Sequence, residues 1–344
     1  MKKTITAFLV AGCMAMLIPL MAYGIGTRRS ETKYETDVWA ETGNDITAHN
    51  SNGNTTEIIN MPEKYRLLDI STGEVWEISA DEYLFGAVAA EAKKDDSEEF
   101  LKVMGIVINT CGLKSAERTK NGDQADENDV DFLIDSETGE GYMTEDKAKE
   151  KFGEDWEQLK QKIKNAVKFA GRYAIFYNGE IAVSVYHERS AGKTESSENI
   201  WGEAREYLVP VVSVGDMLST DAITTKVFSK SELREMLSAN GIECGEEISF
   251  GNAERSNSGY VLSIEVGGKK VSGTTLSIAL GIPSSSFEIS ESMSGYTFVV
   301  KGEGHGVGLS KNGARFLVES GFDCFESIEW YYPGTTVREV GVRQ

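Results

Sequence analysis

The sequence predicts an α+β fold in which helices are mixed with antiparallel hairpins. Helical and strand-like patterns alternate irregularly from Lys64 onward, without the regular strand–helix–strand repeat of a doubly wound sheet. Hydrophobic residues make up 40% of the 344 residues and only 5 are proline, so most of the chain is able to form packed cores. We expect one main region over residues 64–344, with a smaller inserted α+β subdomain at about 220–295.

The charge and the cysteines exclude several classes of protein. The net charge is −20, which argues against nucleic acid as a general partner, because phosphate binding depends on Lys and Arg. The cysteines at positions 13, 111, 244 and 324 lie far apart and form no CxxC pair. This spacing predicts neither a dense disulfide framework nor a zinc finger.

The N-terminal segment indicates export from the cytoplasm. Lys2 and Lys3 precede a long uncharged, apolar run, and residues 1–29 therefore predict a signal anchor that crosses the membrane as one helix. A cleaved signal peptide, cut near Ala22-Tyr23-Gly24, is the alternative. Residues 30–63 are polar and acidic and predict a solvated stalk. The globular part is then extracytoplasmic.

The first elements after the stalk are predicted to be a hairpin and two helices. Strands over 65–70 and 74–78 flank the turn residues Ser71-Thr72-Gly73. Ser79 precedes Glu82 by three residues, a capping arrangement that starts a helix over 80–92. Apolar residues at helical spacing predict a second helix over 97–111, packed against the first.

Residues 115–151 are acidic and predict an exposed insertion with one short strand near 132–134. A helix over 154–170 follows. Asn178-Gly179 then joins strands over 172–177 and 180–187, because this dipeptide suits a two-residue hairpin turn. Further on, Ser229 and Glu232 cap a helix that ends near Gly241. Strands over 260–266, 287–290 and 296–301 and a helix over 309–320 complete the prediction.

Glu91 is the first candidate for chemistry. It stands at the end of an otherwise small and apolar helix, Gly86 to Ala92. If the site is enclosed, burial and the negative end of the helix dipole favour the protonated carboxyl, which is then able to act as an acid and afterwards as a base. The alternative is an ordinary solvated helix end, with Lys93 and Lys94 nearby.

Two further clusters carry polar groups on glycine-bearing loops. Tyr186 to Glu195 follow a predicted strand, and this position is common for binding residues, although an ordinary solvated loop is equally compatible. Gly302 to Ala314 contain Gly302, Gly304, Gly306 and Gly308, which implies sharp turns or the close approach of another group. The histidines at 49, 187 and 305 form no HExxH motif, so we expect no metal and no cofactor.

In this order, the three clusters resemble the stage II sporulation protein D family, which is related to amidase enhancers. The resemblance rests on Ala89-Ala90-Glu91, on Tyr186 through Glu195 and on Gly304 through Ala314, with Tyr331 through Thr335 as a fourth element. It implies a lytic transglycosylase that cleaves the bond between N-acetylmuramic acid and N-acetylglucosamine in denuded peptidoglycan strands during engulfment. Glu91 matches the catalytic acid and base. The positions expected to contact the glycan are Lys102, His187, Ser190, Lys193, His305, Ser310, Lys311 and Asn312.

The resemblance also implies partners and a location. We expect a sporulation amidase like stage II sporulation protein P, a membrane partner like stage II sporulation protein M, and a place between the mother-cell and forespore membranes. Asn109 stands where the family commonly has arginine, and Lys311 where glutamine is frequent. The lost arginine favours the alternative of a non-catalytic glycan-binding scaffold or amidase activator.

Overall fold

The computed structural model describes residues 62–121, 130–245 and 247–340. The anchor at 1–29 and nearly all of the stalk at 30–63 lie outside these residues, so both stay predictions. Over the described ranges, no helix has the length and the apolar character needed to cross a membrane.

Helices and short strands are mixed along the chain, and the predicted α+β class is confirmed. The helices are α1 (Ala80–Glu91), α2 (Glu98–Asn121), α3 (Glu145–Phe152), α4 (Trp156–Ala170), α5 (Ser197–Trp201), α6 (Val214–Leu218), α7 (Lys230–Ala239), α8 (Gly273–Ala279), α9 (Lys311–Glu319) and α10 (Cys324–Tyr331). The strands are β1 (Lys64–Asp69), β2 (Val75–Ser79), β3 (Phe132–Ile134), β4 (Tyr173–Tyr177), β5 (Glu180–Ile181), β6 (Tyr186–His187), β7 (Ile223–Ser229), β8 (Phe250–Arg255), β9 (Val261–Val266), β10 (Lys269–Ser272), β11 (Phe287–Ser292), β12 (Gly295–Lys301), β13 (Leu309–Ser310) and β14 (Thr336–Glu339).

Small sheets connect these elements, and most of their strand pairs are antiparallel. The strand orders are β2-β1-β3, β14-β4-β5, β11-β12-β7, β10-β9-β8 and β13-β6. The parallel pairs are β1 with β3 and β6 with β13. Short strands of this kind cannot bury an apolar face alone, so the helices supply most of the packing around them.

One apolar core surrounds α1, α2 and α4. The N-cap Ser79 accepts a hydrogen bond from the Glu82 backbone as predicted, and α1 packs against α2. The predicted end of the second helix near Cys111 is wrong, because α2 continues for ten residues to Asn121. Its extension is held by packing, since Leu113 is buried and Gly112 lies against the Tyr65 ring, where a larger residue would collide.

Residues 115–151 were predicted to form an exposed insertion, and parts of this segment join the main fold. Residues 115–121 belong to α2, and β3 pairs with β1 at the predicted place. Ile134 of β3 and, beyond that strand, Tyr142 and Met143 are buried in the same core as α1. These apolar side chains are few among the acidic residues, which is why the average composition of the segment concealed them. Residues 122–129 lie outside the described part.

The hairpin at Asn178-Gly179 forms, but its second strand is shorter than predicted. Asn178 and Gly179 both have positive φ, 50° and 91°, as the two-residue turn requires. The returning strand β5 ends at Ile181, and β6 pairs in parallel with β13 instead. The prediction that a helix begins at Leu309 is wrong for the same reason, since Leu309–Ser310 is a strand and Ser310 caps α9. This parallel pair places the second and third sequence clusters side by side.

A second apolar core lies among residues 228–300. It includes Leu233 and Leu237 of α7, whose predicted cap Ser229 accepts a hydrogen bond from the Glu232 backbone. Phe298 of β12 and Leu276 of α8 are buried in the same cluster. The boundaries 220–295 for a separate subdomain stay a prediction.

Candidate functional site

The carboxyl group of Glu91 lies where the three sequence clusters meet. Helix α1 is held by the buried residues Ala87, Val88 and Ala89, and its last residue carries a side chain that is 18% exposed. The Tyr186 hydroxyl donates to Glu91 Oε1 at 3.2 Å, and Lys311 Nζ donates to Glu91 Oε2 at 2.5 Å. One carboxyl group therefore contacts the strand of the second cluster and the helix of the third.

A second carboxylate shares the same lysine. Lys311 Nζ lies 2.7 Å from Glu188 Oε2, and the two side chains are 13% and 20% exposed. Because a single ammonium group contacts both carboxylates, Glu91 and Glu188 are close neighbours. Burial lowers the pKa of the Lys311 ammonium, but the charges of Glu91 and Glu188 outweigh it and hold that pKa above its ordinary value.

Glu188 is ionised near neutral pH because cations surround it. Lys93 Nζ donates to Glu188 Oε1 at 2.6 Å, and Arg315 Nη1 lies 3.8 Å from the same oxygen. Burial raises the pKa of Glu188, but Lys311 and Lys93 outweigh it and lower that pKa to about 2. The site thus contains a fixed negative charge beside Glu91.

Arg315 connects helix α9 to the end of helix α1. Its guanidinium lies over the Phe100 ring, 4.1 Å from the centroid, and forms two hydrogen bonds with Asp96, of 2.6 Å and 3.1 Å. The same group donates to the backbone oxygen of Glu91 at 3.4 Å. A bidentate, stacked arginine is a rigid connection, so this contact fixes the backbone that carries Glu91.

Ser190, Ser310 and Asn312 converge on a buried carboxylate, Asp216 of α6. Asp216 Oδ2 accepts from the Ser190 backbone at 2.8 Å and from its hydroxyl at 2.6 Å. Asp216 Oδ1 accepts from Ser310 Oγ and Asn312 Nδ2, both at 3.0 Å. Ser190 and Ser310 are fully buried, so in this structure they join the two loops to each other. Their expected contact with glycan stays a prediction.

His187 and His305, one from each of these two loops, lie close to each other. Their ring centroids are 5.6 Å apart, and the half-exposed Trp201 ring lies 5.2 Å from His305. Burial, followed by the charge of His305, lowers the pKa of His187 to about 3, and burial also lowers the pKa of His305. Both imidazoles are therefore neutral near pH 7. His187 Nδ1 faces the Val307 backbone oxygen at 3.1 Å, whereas its Nε2 has no hydrogen-bond partner.

The two remaining lysines of the predicted site are placed differently. Lys193 is half-buried on the second loop, and its backbone pairs with that of Val212. Lys102 forms ion pairs with Glu98 and Glu99 and lies over the Phe169 ring at 5.1 Å. None of these three partners belongs to the group around Glu91, and a glycan contact for Lys102 stays a prediction.

The glycines of the third cluster are explained by close approach within the protein. Gly306 and Gly308 have positive φ, 79° and 73°, which favours glycine. A side chain at Gly306 would collide with the Tyr260 hydroxyl, and one at Gly308 would collide with the Val185 carbonyl. The glycine pattern is thus required by packing, and no ligand is needed to account for it.

Asn109 occupies a buried position, 2% exposed, and its amide donates to the Tyr173 carbonyl at 3.0 Å. This contact is with strand β4, and the contacts of the Glu91 carboxylate described above are with Tyr186 and Lys311 instead. The positive charge beside Glu91 comes from Lys311, with Arg315 and Lys93 around it.

No three His, Cys, Asp or Glu side chains converge on a metal position in the part of the chain that the structure describes. The expected absence of a metal or cofactor stays a prediction. Sequence reasoning missed four charged residues that shape this site: Asp96, Glu188, Asp216 and Arg315. Glu188 and Arg315 stand inside or beside the motifs named above, whereas Asp96 and Asp216 belong to none of them.

Two proteins named stage II sporulation protein D are similar to this chain over about three quarters of its length. The chain is 28% identical over 275 residues to stage II sporulation protein D of Bacillus amyloliquefaciens, covering 78% of this chain and 77% of that protein. It is 27% identical over 268 residues to the protein of the same name from Bacillus subtilis, covering 76% and 75%. The amidase enhancer of Bacillus subtilis is 23% identical over 47% of this chain and 30% of that protein. No model of a protein family matches the chain.

Proposed function

We propose that this chain, which the two relatives assign to the stage II sporulation protein D family, is a lytic transglycosylase acting on denuded peptidoglycan strands. The names of those relatives support a sporulation role connected with the cell wall. The cleavage reaction and its substrate are the further step that we propose here.

The observation that carries the proposal is the position of the Glu91 carboxyl. It is largely enclosed, and it is in direct contact with Tyr186 and Lys311, one from each of the other two clusters. An acid that serves both the leaving oxygen and an attacking hydroxyl must stand in a place that is partly shielded yet open to a ligand. A side chain that is 18% exposed satisfies both conditions.

The reaction uses no water. Glu91 gives its proton to the glycosidic oxygen between N-acetylmuramic acid and N-acetylglucosamine, and the bond from the muramic C1 to that oxygen breaks. The 6-hydroxyl oxygen of the same muramic residue then bonds to C1, and its proton passes to Glu91. The product is a 1,6-anhydro sugar, and Glu91 ends protonated as it began.

The ion pair with Lys311 imposes a condition on this chemistry. An ammonium group 2.5 Å from Glu91 Oε2 favours the ionised carboxylate, whereas proton donation requires the neutral acid. Catalysis therefore needs the ammonium to be held by another group when Glu91 is protonated.

The test is digestion of glycan strands freed of stem peptides by an amidase, using the full-length chain and its Glu91→Gln variant. We expect the wild type to release 1,6-anhydro products, and the variant to bind strands with turnover lowered by about 10²- to 10⁴-fold. Glu303→Gln is the matched control, because Glu303 is exposed and its side chain takes no part in the contacts around Glu91 described above. Hydrated products, each heavier by one water, indicate a hydrolase, and binding without cleavage at any pH refutes the enzyme.

A non-catalytic role as amidase activator is the second candidate. It is favoured by the similarity to an amidase enhancer and by the occupation of the Glu91 carboxylate by Lys311. The same digestion separates the two candidates. An activator increases the rate of stem-peptide release by an added sporulation amidase, and it does so equally well with Glu91→Gln.

A place outside the cytoplasm, with membrane and amidase partners, belongs to the proposal as well. Peptidoglycan lies outside the cytoplasmic membrane, so the reaction requires export of the globular part. A reporter enzyme that is active only outside the cytoplasm, fused after Gln344, tests this location.

A further inference from the structure

The ammonium group of Lys311 bridges two carboxylates that have very different surroundings. Glu91 Oε2 lies 2.5 Å from Lys311 Nζ, and Glu188 Oε2 lies 2.7 Å from it. Lysine has three donor hydrogens, so it is able to serve both acceptors at once. The contact with Glu188 exists already and requires no movement of the backbone.

We propose that Glu188 is a positioning residue that retains the Lys311 ammonium when Glu91 takes up a proton, and thereby frees Glu91 to act as the acid. This inference rests on the proposed function of Glu91. It assigns different roles to the two carboxylates, because Glu188 keeps its charge throughout and Glu91 changes its charge in each cycle.

The charged groups around each carboxylate support this division. Glu188 is faced by Lys311, by Lys93 at 2.6 Å and by Arg315 at 3.8 Å. The Glu91 carboxylate is faced by Lys311 and by the hydroxyl of Tyr186. Three cations stabilise the ionised form of Glu188, and the lowered pKa of that group agrees with this geometry.

The remaining titratable groups near the pair do not reverse the argument. Lys151 approaches the end of α1 from α3, where its ammonium donates to the Ala90 carbonyl at 3.3 Å. Asp96 is paired with Arg315 through two hydrogen bonds. His187 is neutral because burial lowers its pKa to about 3. None of them offers Lys311 a third carboxylate.

The proposal is tested by following the protonation of Glu91 directly. The full-length protein is prepared with glutamate labelled at the side-chain carboxyl carbon, and the Glu91 resonance is identified by its loss in Glu91→Gln. In Glu188→Gln, Lys311 has Glu91 as its remaining carboxylate, so the titration midpoint of Glu91 should fall by about one pH unit or more. In Lys311→Gln, Glu91 faces the charge of Glu188 without a cation between them, and its midpoint should rise by about one unit or more.

The double variant Glu188→Gln/Lys311→Gln should lie between the two single variants, and Glu303→Gln should match the wild type. A midpoint that is unchanged in Glu188→Gln, or that moves in the same direction in both single variants, overturns the proposal. Thermal melting of each variant verifies that it is folded. If Glu188→Gln does not fold, the comparison of Lys311→Gln with the double variant still decides, because the charge of Glu188 is the difference between them and should give Lys311→Gln the higher midpoint.

The titration does not depend on turnover, so the inference and the proposed function fail separately. Opposite shifts in a protein that never cleaves glycan support the coupling and refute the enzyme. Where the wild type cleaves, the alkaline limb of kcat should move to lower pH in Glu188→Gln and to higher pH in Lys311→Gln, which loss of structure alone does not produce.

Discussion

Replacing Asp216 by asparagine should destabilise the protein through one buried network. The Asp216 side chain is 1% exposed and accepts four hydrogen bonds, two on each oxygen. Asparagine offers one oxygen and one NH₂ group, and the NH₂ group must face two donors wherever it is placed. At the position of Oδ2 it meets the Ser190 backbone N–H, which is only able to donate. At the position of Oδ1 it meets the Asn312 amide, which also donates to the Gly215 carbonyl.

The size of the effect follows from these contacts. Hydrogen bonds to a buried charged group contribute about 1.5–3 kcal/mol, and a buried donor left without an acceptor costs about 1–3 kcal/mol. The variant loses the negative charge, and at least one buried donor then faces another donor in place of an acceptor. The free energy of unfolding should therefore fall by about 2–4 kcal/mol. Ser310→Ala removes one bond to Asp216 and the N-cap of α9, and it should cost less, about 1–2 kcal/mol.

Urea titration at pH 7, followed by tryptophan fluorescence, measures both values. The exposed Glu303→Gln serves as the control for a single loss of charge. A loss below about 1 kcal/mol in Asp216→Asn would refute the reasoning, because it would mean that water or a shifted loop satisfies these donors.

Two further predictions concern buried groups near the site. Asn109→Arg should lower the free energy of unfolding by about 2 kcal/mol or more without raising turnover, because the side chain at 109 is buried against the Tyr173 carbonyl. Thermal melting and glycan digestion measure these two effects. A stable variant with higher turnover contradicts the prediction. His187 has a pKa of about 3 in the folded protein, below its ordinary 6.5, so between these values the unfolded state binds the additional proton and acid destabilises the fold. The free energy of unfolding should fall by up to about 1.4 kcal/mol per pH unit below 6.5. In His187→Gln this part of the pH dependence should be absent, which urea titrations at pH 6.5, 5.5 and 4.5 measure. An equal dependence of the unfolding free energy on pH in both proteins contradicts the prediction.

Much of the local structure was predictable because its causes are local. The Ser79 and Ser229 caps and the turn at Asn178-Gly179 all depend on neighbours within a few residues. The extent of α2 was not predictable in this way. The turn that continues α2 past Cys111 packs against Tyr65 through Gly112 and buries Leu113, and Tyr65 is distant in sequence.

The sequence alone determined the predicted site, namely Glu91, the 186–195 loop and the glycine loop at 302–308, because the prediction used only residue type and order. Only the tertiary structure decided which side chains touch. The parallel pair of β6 and β13 brings Glu188 and Lys311 together across more than a hundred residues, and Asp216 joins Ser190 to Ser310 from a third segment. Charges interact through space, so a buried ion pair or hydrogen-bond network depends on distances in the folded structure. The separation of residues along the chain does not determine those distances.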